Sequence, residues 1–201
     1  MHQSGILRRI VNLYEAEMVA CDGMLGEVTH ELRILSATAP AWEKSSRLPV
    51  TRQLRNAIDA ARGTPLAEIA TDFAKIEPSL RWRQNPNYTT ATIGDEFLQR
   101  YGYVELVGRN CPWHSDNIAV GFLLLGPGAH YPVHHHPARE VYHVVAGASE
   151  WWRSERDWTA EPPGAAIYHA PNVKHATRVL DVPLLALYCW QGDTGIAAQL
   201  N

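Results

Sequence analysis

The sequence predicts a mainly β fold with an α-helical N-terminal part, and three observations carry that expectation. Apolar residues recur at helical spacing as far as about Ile76. From Tyr103 onward the chain breaks into short runs rich in β-branched, aromatic and aliphatic residues. Glycine and proline clusters separate those runs at near-regular intervals, the pattern of an antiparallel sandwich or barrel.

Residues 4 to about 36 carry the first helical stripe, with Ile6, Leu7, Ile10, Val11, Leu13 and Tyr14 on one face and Ser4 available as a cap. Cys21-Asp22-Gly23 is an expected break, after which Val28, Leu32 and Leu35 continue the stripe. Ala39-Pro40 and Leu48-Pro49 bound a loop. Thr51 then opens a helix through Leu54, Ala57, Ile58 and Ala61, ended by Gly63. Pro65 opens another through Ile69 and Phe73. These stripes read as faces that pack on the rest of the fold. The character changes around Arg81-Trp82-Arg83-Gln84-Asn85-Pro86-Asn87-Tyr88. That change divides the chain into a helical extension, 1–85, packing on a β-barrel, 86–201. The expected strands are Tyr103–Val107, Ile118–Leu125, Val141–Val145, Ser149–Trp152, Ala165–His169, Ala176–Leu180 and Leu184–Trp190.

The totals narrow the function. A chain of 201 residues with a net charge of −3 has ample material for a core and no basic surplus for nucleic acid or an anionic membrane. No apolar run approaches the length of a membrane span. Arg8-Arg9 is soon followed by polar and acidic residues, which fits an amphipathic helix better than a signal peptide. Cys21, Cys111 and Cys189 are far apart and in no paired motif, so they read as reduced thiols of a cytoplasmic protein. A homodimer is compatible with this pattern and not required by it.

The chemistry is concentrated in Gly128–His143, where sixteen residues hold five histidines, one glutamate and two tyrosines. His134 and His136, two apart on a strand, point to one face and can meet one ion together. Glu140 and Tyr142 share their even parity, although Pro137 can reset the register between the two halves. Imidazoles with a carboxylate suit one divalent transition metal: Zn, Fe, Mn, Co or Ni.

The spacing G-x5-H-x-H-x3-E-x6-G is met by Gly128, His134, His136, Glu140 and Gly147. It resembles the first motif of the cupin superfamily, small jelly-roll barrels (double-stranded β-helices) that hold a metal on three histidines and a glutamate. Gly164, Pro171 and His175 resemble the second motif, with the proline-to-histidine interval one residue short and the trailing asparagine absent. The resemblance implies His175 as the fourth ligand, with His169 as the alternative. Tyr131-Pro132-x-His134-x-His136-x3-Glu140-x-Tyr142, then Glu150-Trp151-Trp152, then Ile167-Tyr168-His169-x-Pro171-x3-His175, is similar to the cupin-type dimethylsulfoniopropionate (DMSP) lyases. That likeness implies a small-molecule substrate, cleaved to dimethyl sulfide and acrylate.

The residues suit such a β-elimination. A metal on His134, His136, Glu140 and His175 would act as a Lewis acid for the substrate carboxylate. Tyr142 should enter the same cavity as the glutamate ligand, and the family assigns a tyrosine there the proton abstraction. Tyr131 matches a second tyrosine of the family site. Its odd parity counts against an inward direction, but Pro132 makes regular pleating unreliable. A sulfonium needs an aromatic seat, for which Trp151, Trp152, Tyr188 and Trp190 are candidates, with Trp158 nearby in sequence. Of adjacent Trp151 and Trp152 only one should face inward, whereas Tyr188 and Trp190 can both do so. Glu150 could balance the cation. His135 should face away from the metal, and His130 and His143 could orient its ligands. Arg139 and Lys174 read as solvated surface. The rival readings are an Fe(II) dioxygenase, a sugar-phosphate isomerase and a small-ligand sensor. The isomerase lacks phosphate-binding cations within the barrel segment, and the sensor lacks a basic recognition helix.

Overall fold

In the computed structural model, which describes residues 5–17, 23–154 and 156–201, helices precede strands. The helices are α1 (Gly5–Ala16), α2 (Met24–Ser36), α3 (Leu54–Ala60), α4 (Ala67–Ile76), α5 (Thr90–Ile93) and α6 (Asp95–Gln99). Single 3-10 turns at Pro49–Gln53 and Glu77–Ser79 lead into α3 and out of α4. The break expected near Cys21-Asp22-Gly23 falls between α1 and α2. Ser4, Cys21 and Asp22 lie outside the described residues, and Gly23 takes the left-handed conformation (φ 74°) at the N-cap of α2. Pro65 stands two residues ahead of α4 rather than inside it. The short α5 and α6 were not expected, because four or five residues are too few for an apolar period to register. A capping box on Thr89, with Thr92 as its partner, starts α5.

The strands are β1 (Tyr101–Gly108), β2 (Trp113–His114), β3 (Ile118–Leu125), β4 (His130–His135), β5 (Arg139–Ala146), β6 (Ser149–Arg153), β7 (Thr159–Glu161), β8 (Ala166–His169), β9 (His175–Val179), β10 (Leu184–Gln191) and β11 (Gln199–Leu200). They form two sheets, ordered β2-β1-β3-β10-β5-β8 and β11-β4-β9-β6-β7. Apart from the parallel β1–β2 pair, every pairing is antiparallel. The result is a cupin barrel with a helical layer on one side.

The alternation along the strands explains that layering. Val104, Leu106, Val120, Phe122, Leu124, Val141, Val145, Leu185 and Leu187 share a core with Leu7, Ile10, Met24, Leu32, Leu54 and Phe73 of the helices. Phe73 stacks on Phe122 at 4.0 Å between ring centroids. The alternate residues, Leu123, Leu125, Val144, Leu184, Ala186 and Tyr188, line the barrel with Tyr131, Tyr142 and Trp151. This is why Ile118–Leu125 is an unbroken apolar run: β3 is buried along its whole length, with helices on one face and the barrel interior on the other. Truncating Phe122 to alanine would cost about 3–5 kcal/mol. Gly147 ends β5 at φ 92°, where an added Cβ would lie 2.5 Å from the Pro183 carbonyl oxygen, so the motif glycine there is sterically required.

Candidate metal centre and adjoining cavity

Four buried histidines converge on one buried carboxylate. Glu140 enters from β5, His134 from β4, His136 from just beyond it, His169 from the end of β8 and His175 from the start of β9. Strand pairing sets this up, since His134 lies opposite His175 and Glu140 opposite His169. Ligand atoms of His136, Glu140 and His175 lie within 4.8 Å of one another. Glu140 Oε2 is 3.0 Å from His136 Nε2, 3.4 Å from His175 Nε2 and 3.2 Å from His169 Nδ1. The His134 ring packs against His175 at 4.1 Å, and the described atoms do not bring it into that tightest cluster.

The hydrogen bonds fix the tautomers. His134 Nδ1 lies 2.8 Å from the Pro132 carbonyl, His136 Nδ1 3.1 Å from that of Ala138, and His175 Nδ1 2.9 Å from that of Val173. A carbonyl can only accept, so each Nδ1 carries the proton and each Nε2 of a neutral ring is a bare lone pair. His169 differs, because its Nδ1 donates to Glu140 itself. Burial drives these rings toward neutrality: His134 is pushed down to about 3, His175 well below the ordinary imidazole range, and His169 is lowered too. Burial alone would raise the Glu140 carboxyl, but the imidazoles of His136, His169 and His175 gathered around it, with the hydrogen bond donated by His169, hold it well below the carboxylate range. Imidazole lone pairs therefore face an anionic oxygen at hydrogen-bond distance. Two acceptors in that position repel unless a cation lies between them. His175 Nε2 and His169 Nε2 are also buried without a hydrogen-bond partner. The donor set fits a divalent transition metal.

Beside this centre opens a cavity of about 380 Å³, lined by Tyr131, Glu140, Tyr142, Tyr188 and Trp190 and, farther out, by Tyr103, Glu105, Arg83 and Asn85. Tyr142 lines the cavity beside Glu140 and packs on Trp151 at 4.9 Å. Burial first, then the Glu140 charge, push its phenol well above the ordinary tyrosine range. Tyr131 lines the cavity despite its odd number, because the β4–β9 register shifts between Tyr131 and His134. That irregularity, between Tyr131 and His134, brings Tyr131 onto the face of His134, where the rings stack at 3.9 Å. The Tyr131 and Tyr88 hydroxyls lie 3.1 Å apart.

The expected aromatic seat is distributed differently. Trp190 Nε1 donates to Glu140 Oε1 at 2.5 Å and the indole stacks on His136 at 4.1 Å, so it braces the centre as well as lining the cavity. Trp151 is buried behind Tyr142, with its Nε1 on the Ser149 hydroxyl. Trp152, next to it on β6, is half-buried and lines no part of the cavity, as alternation requires. Trp158 is also away from it, under the Arg178 guanidinium and beside His130. Glu150 sits on β6 opposite Arg178, outside the cavity. His143 points into the helical layer, bonded to Glu17 at 2.7 Å and stacked on Tyr14. His135 is half-buried and lines no part of the cavity, Arg139 hydrogen-bonds Gln191, and Lys174 is exposed.

Sequence reasoning missed Tyr103, Glu105, Arg83 and Asn85. Glu105 left one signal, being the sole charged residue of the apolar strand β1. Arg83 and Asn85 left none, because they reach the rim through long-range links: Arg83 pairs with Tyr103 of β1, and Asn85 donates to the Ala198 carbonyl.

The comparisons with known proteins indicate a carbon–sulfur lyase, carried here on a cupin fold. The chain belongs to the dimethylsulfoniopropionate lyase family, whose model matches residues 28–186. It is 32% identical over 138 residues to the DMSP lyase DddQ of Ruegeria pomeroyi, covering 69% of this chain and 68% of that one. To the putative DMSP lyase DddL of Cereibacter sphaeroides it is 30% identical over 147 residues, 72% of this chain and 60% of that one. The crystal structure of Ruegeria pomeroyi DddQ superposes with a TM-score of 0.74 at 24% identity, over 98% of this chain and 96% of that one. A structure from a study of the DMSP lyases RdDddP and RnDddQII gives 0.75 at 24% identity, over 99% of both chains. Among the described residues no helix is long and apolar enough to cross a membrane.

Proposed function

We propose that this chain cleaves DMSP into dimethyl sulfide and acrylate, with one divalent metal held by His134, His136, Glu140 and His175 and with Tyr142 as the base. The observation that carries the reading is the set of Nε2 lone pairs aimed at the ionised Glu140 carboxylate, directly beside the Tyr142 hydroxyl. A divalent ion bound there would stabilise negative charge developing on the substrate carboxylate and, by its own charge, favour the Tyr142 phenolate. Without a counter-charge, burial keeps Tyr142 a neutral phenol, so the base exists only when the centre is loaded.

Tyr142 Oη takes the proton from the carbon next to the carboxylate. The electron pair left behind forms the carbon–carbon double bond as the carbon–sulfur bond breaks, and sulfur leaves with its bonding pair as neutral dimethyl sulfide. Tyr131, clamped between His134 and the Tyr88 hydroxyl, orients the carboxylate. His169 holds Glu140 from behind through its Nδ1, and Trp190 holds the other carboxylate oxygen.

The test is to incubate metal-loaded protein with DMSP and measure volatile sulfide and acrylate together. Equal amounts of both are expected. Tyr142→Phe should keep the metal and lose turnover by about 10²–10⁴-fold, the usual worth of a positioned base. A variant that stays active would move the proton abstraction from Tyr142 to Tyr131.

A further inference from the structure

Across the cavity from the metal centre lies a carboxylate that the lyase reading leaves without a task. Glu105 is opposite Gly121 on β3, Gly121 is opposite Tyr188 on β10, and Tyr188 is opposite Tyr142 on β5. The acid and the proposed base therefore stand on one transverse row of the sheet, facing the same interior, with the Tyr188 ring between them. Gly121 keeps that row open. A Cβ there would lie 3.0 Å from the Tyr188 hydroxyl and 2.0 Å from the Val104 carbonyl oxygen. The rings of Tyr103 and Tyr188 meet nearly edge to face, with centroids 6.4 Å apart and planes at 77°, and both line the cavity with Glu105.

The partners of Glu105 are neutral. Cys111 Sγ lies 3.5 Å from its Oε2, and Tyr188 lines the cavity beside it. Arg83 is near enough to favour its charge, but that guanidinium is engaged by Glu43 at 3.0 Å and by the Asn110 carbonyl at 2.7 Å. Among the described residues no arginine, lysine or histidine stands within ion-pair distance of Glu105. A half-buried carboxylate with only neutral hydrogen-bond partners is costly to keep charged unless a cation comes to it. Burial indeed pushes its carboxyl above the ordinary range, a penalty that a cation seated against it would remove.

We infer that Glu105 is the cation-recognising residue of the site, seating the sulfonium end of a zwitterionic substrate against the rings of Tyr103 and Tyr188 while the substrate carboxylate lies at the Glu140 end. This assignment rests on the lyase reading for its substrate and deepens it to a class: short carboxylates with a cation that offers no hydrogen bond. A sulfonium suits the seat because aromatic faces attract such ions without donors. Once the carbon–sulfur bond breaks, the departing dimethyl sulfide is neutral and the attraction to Glu105 vanishes, which favours its release.

The test compares affinities for two unreactive shape analogues, measured by calorimetry on metal-loaded protein. One is 3-(trimethylammonio)propanoate, which carries the cation, and the other is 4,4-dimethylpentanoate, which has the same shape with a neutral carbon in place of the nitrogen. The wild type should prefer the cation by about tenfold or more, and Glu105→Gln should lose most of that preference while KM for DMSP rises more than kcat falls. Glu105→Leu is the second variant should the amide fail to fold, with the same loss expected. A wild-type ratio near one, or a ratio unchanged in the variants, overturns the assignment. Release of dimethyl sulfide is scored separately. Its absence from the wild type would sink the lyase reading, while the cation-to-neutral ratio decides on Glu105 in either case.

Discussion

At the level of single residues, the centre is governed by where each imidazole places its proton. His134, His136 and His175 each spend Nδ1–H on a backbone carbonyl two residues away, so rotation about the ring cannot exchange the two nitrogens without losing a buried hydrogen bond. Glu140 is restrained as closely, by His169 on one oxygen and Trp190 on the other. Trp190→Phe isolates that restraint, since it keeps an aromatic ring against His136 and removes the donor to Oε1. Metal affinity should fall about 10–100-fold, as for other hydrogen-bond partners of ligands, measured by competition with a chromophoric chelator. Unchanged affinity would mean that the indole only fills space. The Trp190 role was not legible in the sequence. Parity placed it on the inner face, but only the β10–β5 register, with Trp190 opposite Glu140, makes it a partner of the carboxylate.

At the level of elements, short strands bring buried neutral imidazoles together, and acid should expose the cost. His134, His169 and His175 have folded pKa values below the unfolded value of about 6.5. Between the two values the unfolded chain binds more protons than the folded one, so stability falls as pH falls. The contribution is whole above the unfolded pKa and is lost through the window from about 6.5 down to about 3 in the case of His134. Glu140, also depressed, adds a loss of the same sign at lower pH. Metal-free protein should therefore unfold at lower urea at pH 5 than at pH 7, with up to about 1.4 kcal/mol per pH unit for each histidine involved. An unchanged midpoint would contradict neutral burial of these rings. The strands themselves were largely legible. Ile118–Leu125 has the bounds the apolar run gives, and Glu140 and Tyr142 line one cavity as their shared parity requires. Tyr131 shows the limit of parity, because one register shift between Tyr131 and His134 reverses the side to which it points.

At the level of the whole molecule, the helices and the cupin barrel share one layer of β-sheet. Phe122 and Leu187 pack outward against α1–α4, while Leu123 and Tyr188 one position away face the cavity. The amphipathic stripes therefore told where the helices would be but not what lay behind the sheet they cover. The cavity rim was the least legible part. It joins Asn85 to Ala198 and Arg83 to Tyr103, pairings between distant segments that no local period records. The dense histidine segment, by contrast, announced the centre, because its chemistry is local and its spacing is fixed by strand geometry. The proposed chemistry requires a cation between those lone pairs and Glu140. The most direct measurement is metal content per chain, by elemental analysis after exhaustive dialysis, for wild type and for His175→Ala, alongside dimethyl sulfide release. One divalent ion per wild-type chain is expected, with metal and turnover lost together in the variant and on chelation, and turnover restored to the wild type by returning the metal. Full turnover by a chelated, metal-free chain would contradict the account.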